Sequence, residues 1–347
     1  LITVKEIAQL CGVSITTVSN ILNNKPKVSE ETRQKVLEVV KQTGYKPNYF
    51  AQGMRKQKTR TIGIVVEDLN IFSTPPIVEA IMAYCEEHNF RTVLLNMRLY
   101  DKWQDTWYDD TQKLHSVLEP SIQELLSIKV DGIMYIAGHC RIVDCFPDDF
   151  DIPAVVVYAL SKNSLYPSVV IDDEKGGYDM TKYLISMGHK KIGVIAGTID
   201  NLHTRNRNLG YQKALFEEGI LFNPDYLRYG DWMRESGYRE MRSLVKQGVT
   251  AVFCMNDIMA SGAYDYLYEQ GINIGQDISL AGFDNNELSQ YIRPNLTTCD
   301  IQLKEIGLKS AEILVDTLEK EEADGSYEEI YRIPCQLVVR NSIRKIE

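Results

Sequence analysis

Hydrophobic positions follow helical spacing over the first forty-five residues and then change, from residue 61, to short unbroken apolar runs separated by polar stretches. Thr3-Val4-Lys5-Glu6 has the Thr-x-x-Glu spacing of a capping box, which predicts a helix start. Ile7, Ala8, Leu10 and Cys11 give that helix an apolar face, and Gly12-Val13 ends it with a residue suited to a left-handed turn. Ser14 caps a second helix over about 15–22, with Val18, Ile21 and Leu22 on one stripe. Ser29 caps a third, with Glu30 and Glu31 in the first turn, Val36, Leu37 and Val40 closing a small core, and Gly44 at the end.

The later runs read as strands alternating with amphipathic helices. Strands are expected at 61–66, 92–95, 132–137 and 154–158, with helices at 77–88 and 122–128. A second series puts helices at 175–187, 206–218, 235–245, 258–269 and 303–318, and strands at 191–196, 251–255 and 279–283. This alternation predicts parallel sheets with crossover helices, and two such series predict two lobes. Ligands in open sheets of this kind sit at the carboxyl ends of the strands. The stretches after the strands are mostly polar, as a cleft lip should be: Glu67-Asp68-Leu69-Asn70, Gly138-His139, Tyr158, Gly197-Thr198, Asn256-Asp257 and Asp284-Asn285-Asn286.

A length of 347 residues with 44% hydrophobic and 25% charged residues excludes both a single small module and a disordered chain. The net charge of −10 is unevenly distributed. Residues 1–60 hold 11 Lys/Arg against 4 Asp/Glu, a net of +7, which leaves 27 basic and 44 acidic residues, a net of −17, for 61–347. The basic segment coincides with the three predicted helices. Two helices joined by a Gly-containing turn and braced by a third are the helix-turn-helix arrangement, whose second helix enters the DNA major groove. The face of that helix opposite its apolar stripe carries Thr16, Thr17, Ser19 and Asn20, followed by Asn23, all short hydrogen-bonding groups suited to phosphates and base edges.

The run Val4-Lys5-Glu6-Ile7-Ala8, Gly12-Val13-Ser14, Thr17-Val18-Ser19, Leu22-Asn23, Val28-Ser29, Thr32-Arg33 and Gly44-Tyr45-Lys46-Pro47-Asn48 closely resembles the head of the lactose-repressor/galactose-repressor family. That resemblance implies that Ile15, Thr16 and Asn20 face bases, while Ser14, Thr17, Ser19 and Asn23 hold phosphates. It extends the DNA-binding set to Tyr45, Asn48, Ala51 and Met54. Asn20 stands where the family pattern leads one to expect Arg or His, so the operator half-site is expected to differ from the family's common one. By the same resemblance, 47–60 is a hinge whose helix pairs with its dimer mate in the minor groove. Met54 is then the apolar wedge, and Gly53 beside it weakens the helix.

The body resembles the same family's effector core, itself similar to periplasmic sugar-binding proteins. The matching stretches are Val130-Asp131-Gly132, Val170-Ile171-Asp172-Asp173, Gly188-His189-Lys190-Lys191-Ile192, Asn256-Asp257, Gly282-Phe283-Asp284 and Pro294-Asn295-Leu296-Thr297-Thr298. The implied fold is α/β: a helix-turn-helix head (1–46), a hinge (47–60) and a two-lobed effector-binding and dimerisation core (61–347) of parallel sheets flanked by helices. Lobe 1 is expected over about 61–159 and 292–320, and lobe 2 over about 160–291 and 321–347. The implied effector site comprises Asn70, Phe72, Tyr158, Arg207, Trp232, Asn256 and Asp284. An indole face stacks on C–H groups, while Arg and Asp supply donors and acceptors to hydroxyls, which fits a carbohydrate. Tyr158 replaces an expected Asp. The stretch 96–119 is longer than usual and carries Tyr100, Trp103, Trp107 and Tyr108, as a lid, a partner surface or, the favoured reading, a loop packed on its own side chains.

The expected protein is therefore a cytoplasmic, ligand-responsive transcriptional repressor, acting as a homodimer on a pseudo-palindromic operator and controlling carbohydrate use. The alternatives are a regulator of a nucleotide or purine-type pathway with the same architecture, or a sugar-binding transport protein. No catalytic residue, cofactor or metal site is expected: the seven cysteines form no CxxC pair, and P-loop, H-E-x-x-H and G-x-S-x-G motifs are missing. Asp172-Asp173 and Glu67-Asp68 mimic catalytic pairs, but adjacent strand residues point to opposite faces. No apolar run is long enough to span a membrane, and no heptad tail follows Val338-Val339-Arg340, so a zippered tetramer is not expected.

Overall fold

The computed structural model describes residues 2–22, 28–45, 59–104, 106–108, 110–147, 149–320 and 329–347. Asn23 and the hinge residues Asn48, Ala51 and Met54 lie outside the described residues. The chain divides into two units, 1–59 and 60–347.

The first unit holds α1 (Val4–Cys11), α2 (Ile15–Leu22) and α3 (Glu30–Thr43). Both halves of the capping box form at Thr3 and Glu6, and Gly12 ends α1 in the left-handed region at φ 66°. Ser14 Oγ accepts the Thr17 N–H at 3.0 Å, and Ser29 Oγ accepts that of Thr32 at 3.4 Å. Ile7, Ala8, Cys11, Val18, Ile21 and Val36 form the buried core. Leu10 and Leu37 do not join it, being 60% and 41% exposed. Leu37 lies one residue, roughly 100°, round the helix from Val36, and Leu10 is similarly displaced from the Ile7–Ala8–Cys11 stripe. Helices this small have room for one narrow apolar seam.

The second unit runs β1 (Thr61–Val66), α4 (Thr74–Glu87), β2 (Arg91–Asn96), α5 (Leu99–Trp103), α6 (Thr111–Ser127), β3 (Gly132–Ile136), β4 (Ile142–Val143), β5 (Ala154–Val157), β6 (Leu160–Ser161) and β7 (Ser168–Ile171). It continues with α7 (Asp173–Ser186), β8 (Ile192–Ala196), α8 (Leu202–Glu217), β9 (Leu227–Tyr229), α9 (Arg234–Lys246), β10 (Ala251–Cys254) and α10 (Asp257–Glu269). Then follow β11 (Ser279–Ala281), α11 (Leu288–Tyr291), β12 (Thr298–Asp300), α12 (Leu303–Glu319), β13 (Ile330–Ile333) and β14 (Gln336–Val338).

A six-stranded parallel sheet has the order β13-β7-β5-β3-β1-β2, and a four-stranded parallel sheet the order β11-β10-β8-β9. Helices cover both faces of such sheets, so central strands such as β1, β3, β5 and β8 are buried at every position. The boundary drawn from sequence at 159/160 runs through the larger sheet, since β7 and β13 belong to it. Three segments leave the parallel sheets, β7 into α7, β11 into β12 and β13 into β14, and β12 and β14 pair antiparallel as a sheet of their own. The three segments are tied together where Asp172 N–H donates to Ile333 O and Asp284 N–H to Cys299 O, both at 2.8 Å. The aromatic stretch is not an open loop. It forms α5 and the start of α6, with Met97, Leu99, Trp107, Leu114 and Leu118 buried against β3 residues Ile133 and Tyr135.

Candidate effector site and nucleic-acid face

The carboxyl ends of the two parallel sheets carry a buried polar cluster centred on Arg207, which is 2% exposed. Arg207 projects from α8, which packs so closely on α7 that a Cβ at Gly177 would lie 2.4 Å from the Arg207 carbonyl oxygen. Its Nε donates to Asp173 Oδ1 at 2.8 Å, one Nη donates to the Met255 carbonyl, and the same nitrogen lies 3.7 Å from Asp284 Oδ1. The guanidinium sits 3.7 Å above the Phe283 ring and 5.8 Å from that of Trp232. The other Asp173 oxygen accepts from His203 Nδ1 at 2.7 Å.

These contacts set the charges. Burial works against the charged form of Asp173, but His203 and Arg207 outweigh it and hold the carboxyl at about 2. Burial likewise opposes the Arg207 cation, and Asp173 and Asp284 more than compensate, so its proton is held more tightly than usual. Burial pushes Asp284 up to about 7, with Arg207 pulling down and Asp173 pushing further up. The cluster thus holds one firmly anionic carboxylate, one cation and one carboxyl poised near neutrality. Such a group can accept or donate to a hydroxyl or amide.

Three of the site residues have backbones in the left-handed region: Tyr158 at φ 63°, Trp232 at φ 71° and Asp284 at φ 105°. Strain of this kind persists only where the surroundings over-determine it, and it clusters at ligand clamps. Tyr158 leaves β5 buried, its ring 5.8 Å from His203, and burial raises its hydroxyl well above the usual range. Trp232 is half-buried and lies over Gly197, where a Cβ would come within 2.0 Å of the indole. Asn256 caps α10 through Oδ1, accepting the Met259 N–H at 2.7 Å, and donates from Nδ2 to the Trp232 carbonyl at 3.0 Å. It positions the indole.

Of the seven effector residues expected from sequence, Tyr158, Arg207, Trp232, Asn256 and Asp284 therefore come together. Asn70 and Phe72 sit on the lip beyond β1; both are exposed, Phe72 by 47%. Sequence reasoning misses Asp173, His203 and Phe283. Asp173 is visible there only as half of an acidic pair; Asp172 turns away to cap α7, accepting the Lys175 N–H at 3.1 Å, and frees Asp173 to point inward. His203 has a signal in its i, i+4 relation to Arg207 on one helix face.

On the first unit, Ser14, Ile15 and Thr16 are exposed at the start of α2, and Thr17, Ser19 and Asn20 are half-buried along it. Ile15 is 39% exposed, an apolar group presented to solvent on an otherwise polar face. The Ser14 hydroxyl also meets that of Thr17 at 2.9 Å, so these two are partly occupied in capping α2. Tyr45 packs against the three-helix core, and burial raises its hydroxyl.

A helix-turn-helix unit followed by a core of two parallel sheets with a buried polar cluster at their carboxyl ends defines a class of regulators with a periplasmic-binding-protein-like body. Residues 3–48 match the lacI family of bacterial regulatory proteins, and residues 181–343 match the periplasmic binding protein-like domain. The chain belongs to the lacI family of bacterial regulatory proteins. It is 30% identical to the HTH-type transcriptional repressor PurR of Vibrio campbellii over 350 residues, which covers 99% of each chain. It is 29% identical to catabolite control protein A of Priestia megaterium, again over 99% of each. Among solved structures it is similar to the Lac repressor dimer bound to operator and the anti-inducer ONPF, with a TM-score of 0.77 and 25% identity over 99% of both chains. It is similar also to a complex of the transcriptional regulator CelR with cellobiose, at a TM-score of 0.64 and 26% identity over 99% of this chain and 100% of the other. No helix among the described residues is long and apolar enough to cross a membrane, and no group of side chains among them could hold a metal ion.

Proposed function

We propose that the protein is a cytoplasmic repressor without catalytic activity that binds a pseudo-palindromic operator as a homodimer and changes its grip when a carbohydrate-type effector enters the core. The observation that carries the reading is the Arg207–Asp173–Asp284 cluster beside Trp232 at the carboxyl ends of two parallel sheets. A buried cation, a carboxyl near neutrality and an indole are a sugar-hydroxyl site with a stacking wall. Met54 and Asn48 of the hinge, and Asn20, Ile15 and Thr16 of α2, supply the DNA contacts in this reading. Effector binding shifts the population of lobe arrangements and so the spacing of the two heads.

A planar, purine-type effector is the second reading. Tyr158 favours it, because a phenol in place of a carboxylate removes a hydroxyl acceptor and adds an aromatic wall.

Gel shift with fragments from the source genome tests the DNA half; weak, sequence-blind affinity would retire it. A thermal-shift screen of sugars, sugar phosphates and nucleobases tests the core, since a ligand of the native state raises the melting point. Arg207→Ala should abolish the shift by the ligand so found; an undiminished shift would discard the pocket.

A further inference from the structure

We propose that His203 is the latch that holds the two lobes of the core together and reports the state of the effector cluster to the larger-sheet lobe. This rests on the reading of the core as an effector-binding clamshell.

His203 Nε2 accepts the backbone N–H of Cys140 at 3.1 Å. Cys140 follows β3 in the six-stranded sheet, whereas His203 opens α8 beside the four-stranded sheet, so this hydrogen bond crosses from one lobe to the other. The same imidazole gives its Nδ1 proton to Asp173, whose second oxygen holds Arg207. One ring therefore touches both the partner lobe and the anchor of the effector arginine. The acceptor role at Nε2 requires the neutral Nδ1–H tautomer, and Asp173 selects that tautomer.

Both sides of the latch are held in place. On the larger-sheet side, buried Glu67 takes the Gly138 N–H at 2.8 Å, the Tyr135 hydroxyl, and the Arg141 guanidinium through two nitrogens at 2.6 and 3.1 Å. Arg141 lies 4.6 Å over the Trp107 ring, so the aromatic stretch braces the loop that presents Cys140. Cys140 is 5% and His203 6% exposed, which leaves little room for water to replace the bond. The rings of Tyr158, at 5.8 Å, and Trp232, edge-on at 6.4 Å, flank the imidazole. A ligand that draws Arg207 or Asp173 toward itself must move the imidazole, and with it the acceptor that Cys140 uses.

Two substitutions separate the halves of the latch. The His203→Asn amide occupies the position of Nδ1 and keeps the Asp173 contact, but it does not reach Cys140. The His203→Gln amide reaches the position of Nε2 and restores the acceptor. Hydrogen–deuterium exchange of the full chain, resolved at Cys140 and Gly138, reads the bond directly. The expected result is an acceleration of about tenfold at Cys140 in His203→Asn, no change at Gly138, and recovery in His203→Gln. Unchanged exchange at Cys140, or equal acceleration at Gly138, overturns the latch, the second because it marks general loosening of the loop.

On an operator fragment that the wild type binds, His203→Asn should alter the affinity of the ligand-free chain several-fold, and His203→Gln should reverse the change; equal affinities overturn the reporting role. Exchange needs neither operator nor effector. A wild type without specific DNA affinity would therefore sink the repressor reading while leaving the exchange result standing.

Discussion

Asp173 and Asp284 are both buried, both within reach of Arg207, and yet lie at opposite ends of the carboxyl range. The difference lies in the charged and hydrogen-bonding partners each has against the cost of burial. Asp173 accepts from Arg207 at 2.8 Å and from His203 at 2.7 Å, whereas Asp284 has the guanidinium only at 3.7 Å. Linkage turns this into opposite pH dependences. Asp284, raised to about 7, contributes stability that is complete below the unfolded carboxyl range near 4 and is lost as pH rises through 7. Asp173, lowered to about 2, contributes stability that is present above that range and is lost as pH falls toward 2. Between pH 4 and 7 the Asp284 contribution falls, so Asp284→Asn should make the slope of melting temperature against pH less negative in that window; an unchanged slope assigns the titration elsewhere. Removing the cation is costlier. Arg207→Ala leaves a buried carboxylate without its partner and should cost about 3–5 kcal/mol in urea denaturation. Arg207→Met with Asp173→Asn should cost less than the single change. If the double variant is the weaker of the two, charge burial is not what the arginine compensates.

The elements legible in the sequence are those whose burial is periodic or complete. The fully buried β1 with its apolar Ile62, Ile64, Val65 and Val66, the capped helices of the first unit and the long amphipathic α12 announce themselves. Short strands do not. Three-residue strands such as β9, β12 and β14 offer no period to count, and β7 hides beside a turn. The lobe boundary shifts for that reason, because β7 and β13 are what carry the larger sheet past the first crossover. In the site, residues on strand ends are readable from sequence, whereas Asp173 on the first turn of α7 is not, and His203 shows only its i, i+4 relation to Arg207. Their roles come from the packing of α7 on α8, which sequence spacing does not encode. Glycines encode part of it. Gly177→Ala drives a methyl to 2.4 Å from the Arg207 carbonyl oxygen and must part the two helices. A loss of about 1–3 kcal/mol is expected, together with weaker protection of the Arg207 cluster against hydrogen exchange. Gly219→Ala, at φ 65° in open space, carries only the left-handed penalty of about 1–2 kcal/mol and should leave that protection untouched. Equal effects on the cluster would remove the helix packing from the argument.

At the scale of the whole molecule, charge is partitioned rather than balanced. The +7 of residues 1–60 and the −17 of residues 61–347 oppose each other in the field that a polyanion meets. A net-acidic body disfavours a polyanion and a net-basic segment favours one, so in the reading proposed above duplex affinity resides in the basic segment. That partition has a measurable salt signature. Phosphate neutralisation releases counterions, and the logarithm of affinity falls with the logarithm of salt at a slope of about −0.9 per neutralised phosphate. In the homodimer proposed above, the Lys and Arg side chains of the two basic segments that neutralise phosphates should give a slope of roughly −6 to −10 for the full chain. Lys25 and Lys27 are two of the eleven basic residues of this segment, and Lys25→Gln or Lys27→Gln should reduce the slope by about one for each phosphate no longer neutralised and weaken all duplexes alike, whereas in the proposed reading Asn20→Ala should leave the slope in place and relax base preference. A slope that Asn20→Ala flattens as much as the lysine changes would mean that α2 holds the backbone and reads no sequence.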